Sequence, residues 1–587
     1  MKTKKLQVMT LGIGITFGLF LYLQSYYAFN YYFEEQFQMF RFSGDYAQAC
    51  FQRIGGPVAY LGSFIVQFFI HPYVGAAVSA LLYALTVCGL RTCALRLSGG
   101  KELPLAYLLP GMFFLWAGAD VNCHYDAGLA FATMAWLLAA YVRMPKRSVR
   151  LAVAFPLSWL LFYAVGPMSI ALAAACCVVE LGRKGKGRWW SLLLLPGTLL
   201  APLICYYIDA TDEPLRRLLT MEFYSNALAP APIWTNGALL AWWIMLALAQ
   251  LYPLCPKGKK TWVRYTSWSV QLFLAAVVCV KVDGMANYEN NYVAKRLDYY
   301  ARQERWNDIL GEKELRPSKN LIHTCYQNLA LARLGKLSEA SIVTPQVGVR
   351  GLWVKWNQTT FTSTLLSDVC YTMGQVALAQ VLAFEGLVAT ERSENPRLLL
   401  RLVQTNLIEG AYPVAAKYIR LLGQTHAYRK QAAHYATFLY DDHRLEEDSE
   451  LGPLRRCRAK VEGLTTVEQG PMDLWQVMHS NPSYRPAFDY FGAFCLLSRD
   501  MKSFGMMLDE FRKAPALQPM PRIFQEAALI LHEDQPDTWE GYGITQETQQ
   551  RFQEFRKMAI AAKTNRALAN QLKASFGKSY WYYFMRK

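Results

Sequence analysis

Long apolar runs separated by short basic loops fill residues 1–283, whereas residues 284–587 mix apolar and polar positions at helical spacing. Nine apolar segments stand out, at 7–27, 73–92, 103–119, 126–142, 151–165, 167–182, 189–208, 238–255 and 267–283. Each approaches the length a helix needs to cross a hydrocarbon core of roughly 30 Å. The first follows Lys2, Lys4 and Lys5 and outlasts a signal-peptide core with no small-x-small site after it, so it reads as a retained span. Residues 57–70 (PVAYLGSFIVQFFI) are apolar but too short to cross, which predicts an in-plane or re-entrant helix leading into the second span.

The second half predicts helices punctuated by turns, with a recurring frame. Gly335-x-Leu337-x-x-Ala340, Gly374-x-Val376-x-x-Ala379 and Gly410-x-Tyr412-x-x-Ala415 repeat at spacings of 39 and 36 residues, with a degenerate copy at Asp500-x-Lys502-x-x-Gly505. A glycine that ends one helix, then a small residue one turn into the next, is the requirement of a tight helical hairpin. Here the chain resembles tetratricopeptide repeats, most closely at LALARLGKLSEA (329–340) and LIEGAYPVAA (407–416), although the period is longer and the first-helix Trp-Leu-Gly-Tyr signature is missing. The expected fold class is therefore all-α: a polytopic membrane domain over 1–283 and a soluble tetratricopeptide-like α-solenoid over 284–587. The resemblance implies a concave face for a protein or peptide partner.

Charge fixes the expected sidedness. The net charge is +17, but the cations lie in loops between apolar spans, which argues for membrane topology and against nucleic acid as a partner. One set of alternate loops carries Arg91, Arg96 and Lys101; Arg143, Lys146, Arg147 and Arg150; Arg183, Lys184, Lys186 and Arg188; and Lys257, Lys259, Lys260 and Arg264. The opposite loops hold only Arg41, Arg53, Arg216 and Arg217. The positive-inside rule then puts the N-terminus in the cytoplasm of an inner membrane, and nine crossings deliver the repeat domain to the periplasm. Cys325, Cys370, Cys457 and Cys495 fall in that half, where disulfides are permitted but sequence does not pair them.

Candidate chemistry sits in the outer loops. Glu34 and Glu35 follow the first span among aromatics; a carboxylate partly desolvated there is suited to act as a general base. The second outer loop (GADVNCHYDAG) offers Asp120 and Asp126, and the fourth offers Arg216-Arg217, an outside cation pair able to meet a phosphate. Asp120, His124 and Asp126 lack a fourth ligand, so no metal or other cofactor is expected. This layout resembles the GT-C class of membrane glycosyltransferases, which place an acidic residue after the first span, in-plane helices behind it and often a second acidic position in the next outer loop. Here Glu-Glu stands where that class usually has Asp. The chain also resembles multi-span membrane proteins of Bacteroidota. The resemblance implies sugar transfer from a polyprenyl-phosphate donor, with Glu34, Glu35, Asp120 and Asp126 as catalytic candidates and Arg216 and Arg217 holding the lipid phosphate. The competing reading is a non-catalytic membrane-anchored scaffold for envelope proteins.

Overall fold

The computed structural model describes residues 2–118, 120, 123–183, 185, 187–208, 211–226, 233–252, 266–271, 273–274, 276–278, 280, 289–315, 320–390, 394–458, 473–562 and 566–586. Among these the fold is all-α; the only β-type pairings are isolated bridges, Cys123 with Ser225 and Val347 with Val349. The loop cations Lys184, Lys186, Lys257, Lys259, Lys260 and Arg264 lie outside the described residues, as does the end of the ninth apolar segment. The chain divides into two compact units, Met1–Tyr292 with Gln424–Arg429, and Val293–Gly423 with Lys430–Lys587.

The first unit contains α1 (Lys2–Glu35), α2 (Gly44–Phe51), α3 (Gly56–Val66), α4 (Val74–Leu97), α5 (Pro104–Ala117), α6 (Asp126–Arg143), α7 (Arg147–Val165), α8 (Met168–Gly182), α9 (Leu194–Tyr207), α10 (Leu215–Leu219), α11 (Ile233–Leu251) and α12 (Thr266–Val278). Among the described residues, four helices are long and apolar enough to cross a membrane: α4, α7, Arg188–Tyr207 (α9 with the 3-10 turn before it) and α11. The other predicted segments are helical as α1, α5, α6, α8 and α12 without meeting both conditions. Of these, α5, α8 and α12 are short, and α6, rich in Ala, carries Asp126 and Arg143 at its two ends.

That composition has a packing purpose. Ala130, Ala135 and Ala139 of α6 are fully buried, and Gly89 of α4 lies against Ala135. Small residues let backbones approach closely where lipid leaves no hydrophobic drive between helices. Large apolar side chains point the other way: Leu81, Leu85, Leu160, Leu200, Leu240, Ile244 and Leu248 are exposed. One buried charge is matched at the far end of α6–α8. Glu180, fully buried, accepts from Arg150 Nε at 2.7 Å and from Arg147 Nε at 2.8 Å.

In the second unit, each frame glycine adopts the left-handed conformation that stops a helix: Gly335 (φ 66°), Gly374 (φ 86°) and Gly410 (φ 79°). The next helix starts two residues later, at Leu337, Val376 and Tyr412. The degenerate copy is displaced by one residue from its sequence register. Arg499 (φ 59°), not Asp500, takes the glycine position, Met501 opens the next helix, and buried Phe504, not Gly505, occupies the small-residue position. The packing is not only between neighbours: helix Arg485–Ser498 also contacts Leu321–Arg333, Leu337–Ala340 and Thr360–Met373, which are far earlier in the chain. Cys325, Cys370, Cys457 and Cys495 are buried free thiols.

Candidate functional site

The end of α1 separates the two adjacent glutamates. Glu35 is buried and accepts a 3.0 Å hydrogen bond from the Tyr428 hydroxyl. The segment carrying that tyrosine belongs to the first unit, where Phe42 N–H donates to the Gln424 carbonyl at 2.8 Å and His426 packs against Phe68 and His71. Glu34 is half-buried, accepts from Gln38 Nε2 at 3.0 Å, and exerts its charge on Tyr31, Cys123 and Tyr125.

The loops carrying Cys123 and Ser225 meet beside it. Cys123 forms its antiparallel bridge with Ser225, and His124 N–H donates to the Tyr224 carbonyl at 2.8 Å. Asp126, buried, opens α6, where the helix dipole favours an anion. Gly62 of α3 is what lets that helix reach it: a Cβ at 62 would lie 3.2 Å from Asp126 Cβ. The Cys123 thiol reads out the resulting electrostatics. Burial pushes its pKa well above the ordinary thiol value, and the charges of Asp120, Glu34 and Asp126 all add to the shift. Three of the four sequence-predicted carboxylates thus act on one locus, while Glu35 faces Tyr428.

The arginine pair is otherwise engaged. Arg217 is paired with Glu213 at 2.9 Å and donates to the Ser225 carbonyl at 2.7 Å. Arg216, 74% exposed, pairs with Glu222 at 2.5 Å. They hold the fourth loop in shape beside Cys123. Among the described residues, no group of three or more His, Cys, Asp or Glu is placed to hold a metal ion.

A cleft of ≈ 690 Å³, its open mouth included, lies between α1, α4, α5 and α6. Leu23, Leu82, Phe114 and Leu115 make its walls apolar, and Asn30, Tyr31, Ser79, Cys123, His124 and Tyr125 supply polar groups. Neither the four candidate carboxylates nor the two arginines are among its lining residues; Cys123 and Tyr125, on which Glu34 acts, do line it. Ser79 Oγ and the Tyr125 hydroxyl are 3.3 Å apart, and Phe69 meets Tyr31 and Tyr125 edge-on. Burial raises the pKa of both tyrosines, keeping them neutral donors. Sequence reasoning missed this set because its members come from separate helices; only Tyr125, beside Asp126, carried a local hint.

No curated protein and no solved structure matches the chain. Residues 3–587 match a family of unknown function (DUF6057), and the chain belongs to that family.

Proposed function

We propose that the chain is a multi-pass inner-membrane glycosyltransferase working at the outer leaflet on a polyprenyl-phosphate sugar. The observation that carries the reading is that Glu34, at the end of α1, acts on Cys123 together with that residue's own neighbours Asp120 and Asp126. In this reading Glu34 takes the proton of an acceptor hydroxyl as its oxygen bonds to the sugar's anomeric carbon. The bond from that carbon to the phosphate oxygen breaks, and polyprenyl phosphate leaves. Asp120 and Asp126 assist, Glu35 holds the end of α1, and Arg217 shapes the fourth loop. Nine crossings with the N-terminus inside are part of the proposal, supported by the helices found at each apolar segment and by their exposed leucines. The second unit, an extracytoplasmic tetratricopeptide-like array, would hold the acceptor or a protein partner.

The test pairs Glu34→Gln with Glu35→Gln in the native host, reading surface glycans and protein level. We expect Glu34→Gln to remove a glycan at normal protein level, and Glu35→Gln to act mainly through protein level. Unchanged glycans with normal amounts of Glu34→Gln protein would leave the scaffold reading in its place.

A further inference from the structure

Inside the second unit, two arginines from separate helices approach one tyrosine ring. Arg401 (helix Pro396–Glu409) stacks on Tyr371 (helix Thr360–Met373) with its guanidinium carbon 3.6 Å from the ring centre, and Arg333 (helix Leu321–Arg333) approaches the same ring to 5.9 Å. Tyr490, on helix Arg485–Ser498, lies within electrostatic range of Arg333. Both tyrosines are 0% exposed. Yet the hydroxyls of Tyr371 and Tyr490, Nε of Arg333, and Nε and Nη1 of Arg401 are buried with no hydrogen-bond partner. Their neighbours are satisfied: the Tyr484 hydroxyl donates to the Thr372 carbonyl at 2.9 Å, and Tyr435 accepts from Gln404 at 2.8 Å.

Buried polar groups in folded proteins are almost always paired, so these orphans call for a partner. Its chemistry follows from theirs. The three orphan guanidinium atoms are donors only, and a tyrosine hydroxyl is able to donate, so the partner must accept. Arg401 is neutralised through Nη2, which donates to Asp368 at 2.9 Å, an aspartate that Arg397 also holds. Arg333 forms no ion pair among the described residues. Glu450 acts electrostatically on Tyr371, Tyr435 and Tyr484 but bonds neither guanidinium. Water would supply acceptors without compensating the Arg333 charge; an anion supplies both.

We propose that this cluster of buried donors, Arg333, Arg401, Tyr371 and Tyr490, is a binding site for a small inorganic anion, chloride or phosphate, independent of the proposed transfer site. The experiment uses the full chain purified in detergent and exchanged into gluconate. Sodium chloride and sodium phosphate are titrated separately at constant ionic strength while thermal unfolding is followed. One of the two is expected to raise Tm saturably by several degrees, which also identifies the ion. Arg333→Gln should abolish the rise. The Tyr371→Phe/Tyr490→Phe pair keeps both rings in the core and should demand at least tenfold more anion, a readout that holds even if the arginine variant does not fold. Equal Tm in gluconate, chloride and phosphate would overturn the proposal, as would a rise in either variant at the same anion concentration as the parent.

Discussion

Glu526 sets up a pH dependence opposite to that of most carboxylates. Its side chain is 1% exposed on helix Arg522–Leu531, accepts from Tyr580 N–H at 2.6 Å, and has Arg522 Nε 3.5 Å away. Burial raises its pKa from 4.5 to about 7, against smaller opposing effects from the Tyr580 amide, Arg522 and Arg551, with Glu339 adding to the rise. Below 4.5 the group carries a proton in folded and unfolded chains alike and contributes nothing to the pH dependence. Between 4.5 and about 7 the unfolded chain ionises while the folded one keeps its proton, so stability falls as pH rises; above that the loss is complete. The interval corresponds to roughly 3 kcal/mol at about 1.4 kcal/mol per pH unit. For a unit this large that is about 5 °C in Tm. Asp489, pushed up to about 6 by burial, acts with the same sign. Thermal unfolding between pH 5 and 8 should therefore show stability declining toward pH 8. Glu526→Gln, which retains an acceptor for the Tyr580 amide, should flatten the slope and exceed the parent at pH 8. The local reporter is Trp581, whose Nε1–H donates to the Glu526 carbonyl at 2.7 Å. A parent that gains stability toward pH 8, or a Gln variant with an unchanged slope, would refute the reasoning.

The remaining expectations concern single contacts. Gly374→Ala combines a left-handed backbone with a Cβ only 2.9 Å from Val477 Cγ1 and 3.0 Å from Tyr484 Cε1, so it should cost about 2–4 kcal/mol in melting experiments. Gly410→Ala, with open space around its Cβ, should cost only about 1 kcal/mol; equal costs would show that crowding at 374 is unimportant. Glu180→Gln leaves buried Arg150 and half-buried Arg147 without their anion and should destabilise the first unit by about 3–5 kcal/mol, measured by thermal aggregation in detergent. Tyr428→Phe removes a donor from buried Glu35 and should cost about 1.5–3 kcal/mol; an unchanged melt would mean that Glu35 does not depend on it.

Helix positions were legible because periodicity is local. The 57–70 segment became α3 and the short 3-10 turn after it, and the frame glycines became helix stops. The fourth hairpin was misregistered because Arg499 carries no compositional sign of a left-handed backbone; its guanidinium instead stacks on Tyr583 and donates to the Tyr583 carbonyl. For the site, sequence pointed to acidic loop residues but not to their division of labour. Adjacent Glu34 and Glu35 diverge because successive helical positions are about 100° apart, which turns one toward Cys123 and the other toward Tyr428. That tyrosine, hundreds of residues away, is invisible to any local pattern. The Arg216-Arg217 pair looked available for phosphate because sequence does not reveal which backbone carbonyls a folded loop turns toward a guanidinium.

The bridge between Cys123 and Ser225 has an engineering consequence. Directly opposed residues of an antiparallel pair have Cα atoms roughly 4.5–5.5 Å apart, inside the window a cystine requires. Because one partner is already a cysteine, the single change Ser225→Cys should let the two loops lock covalently wherever the surroundings are oxidising. A thiol-alkylation assay on that variant would then work as a built-in compass, reporting whether these loops see an oxidising compartment without any fused reporter.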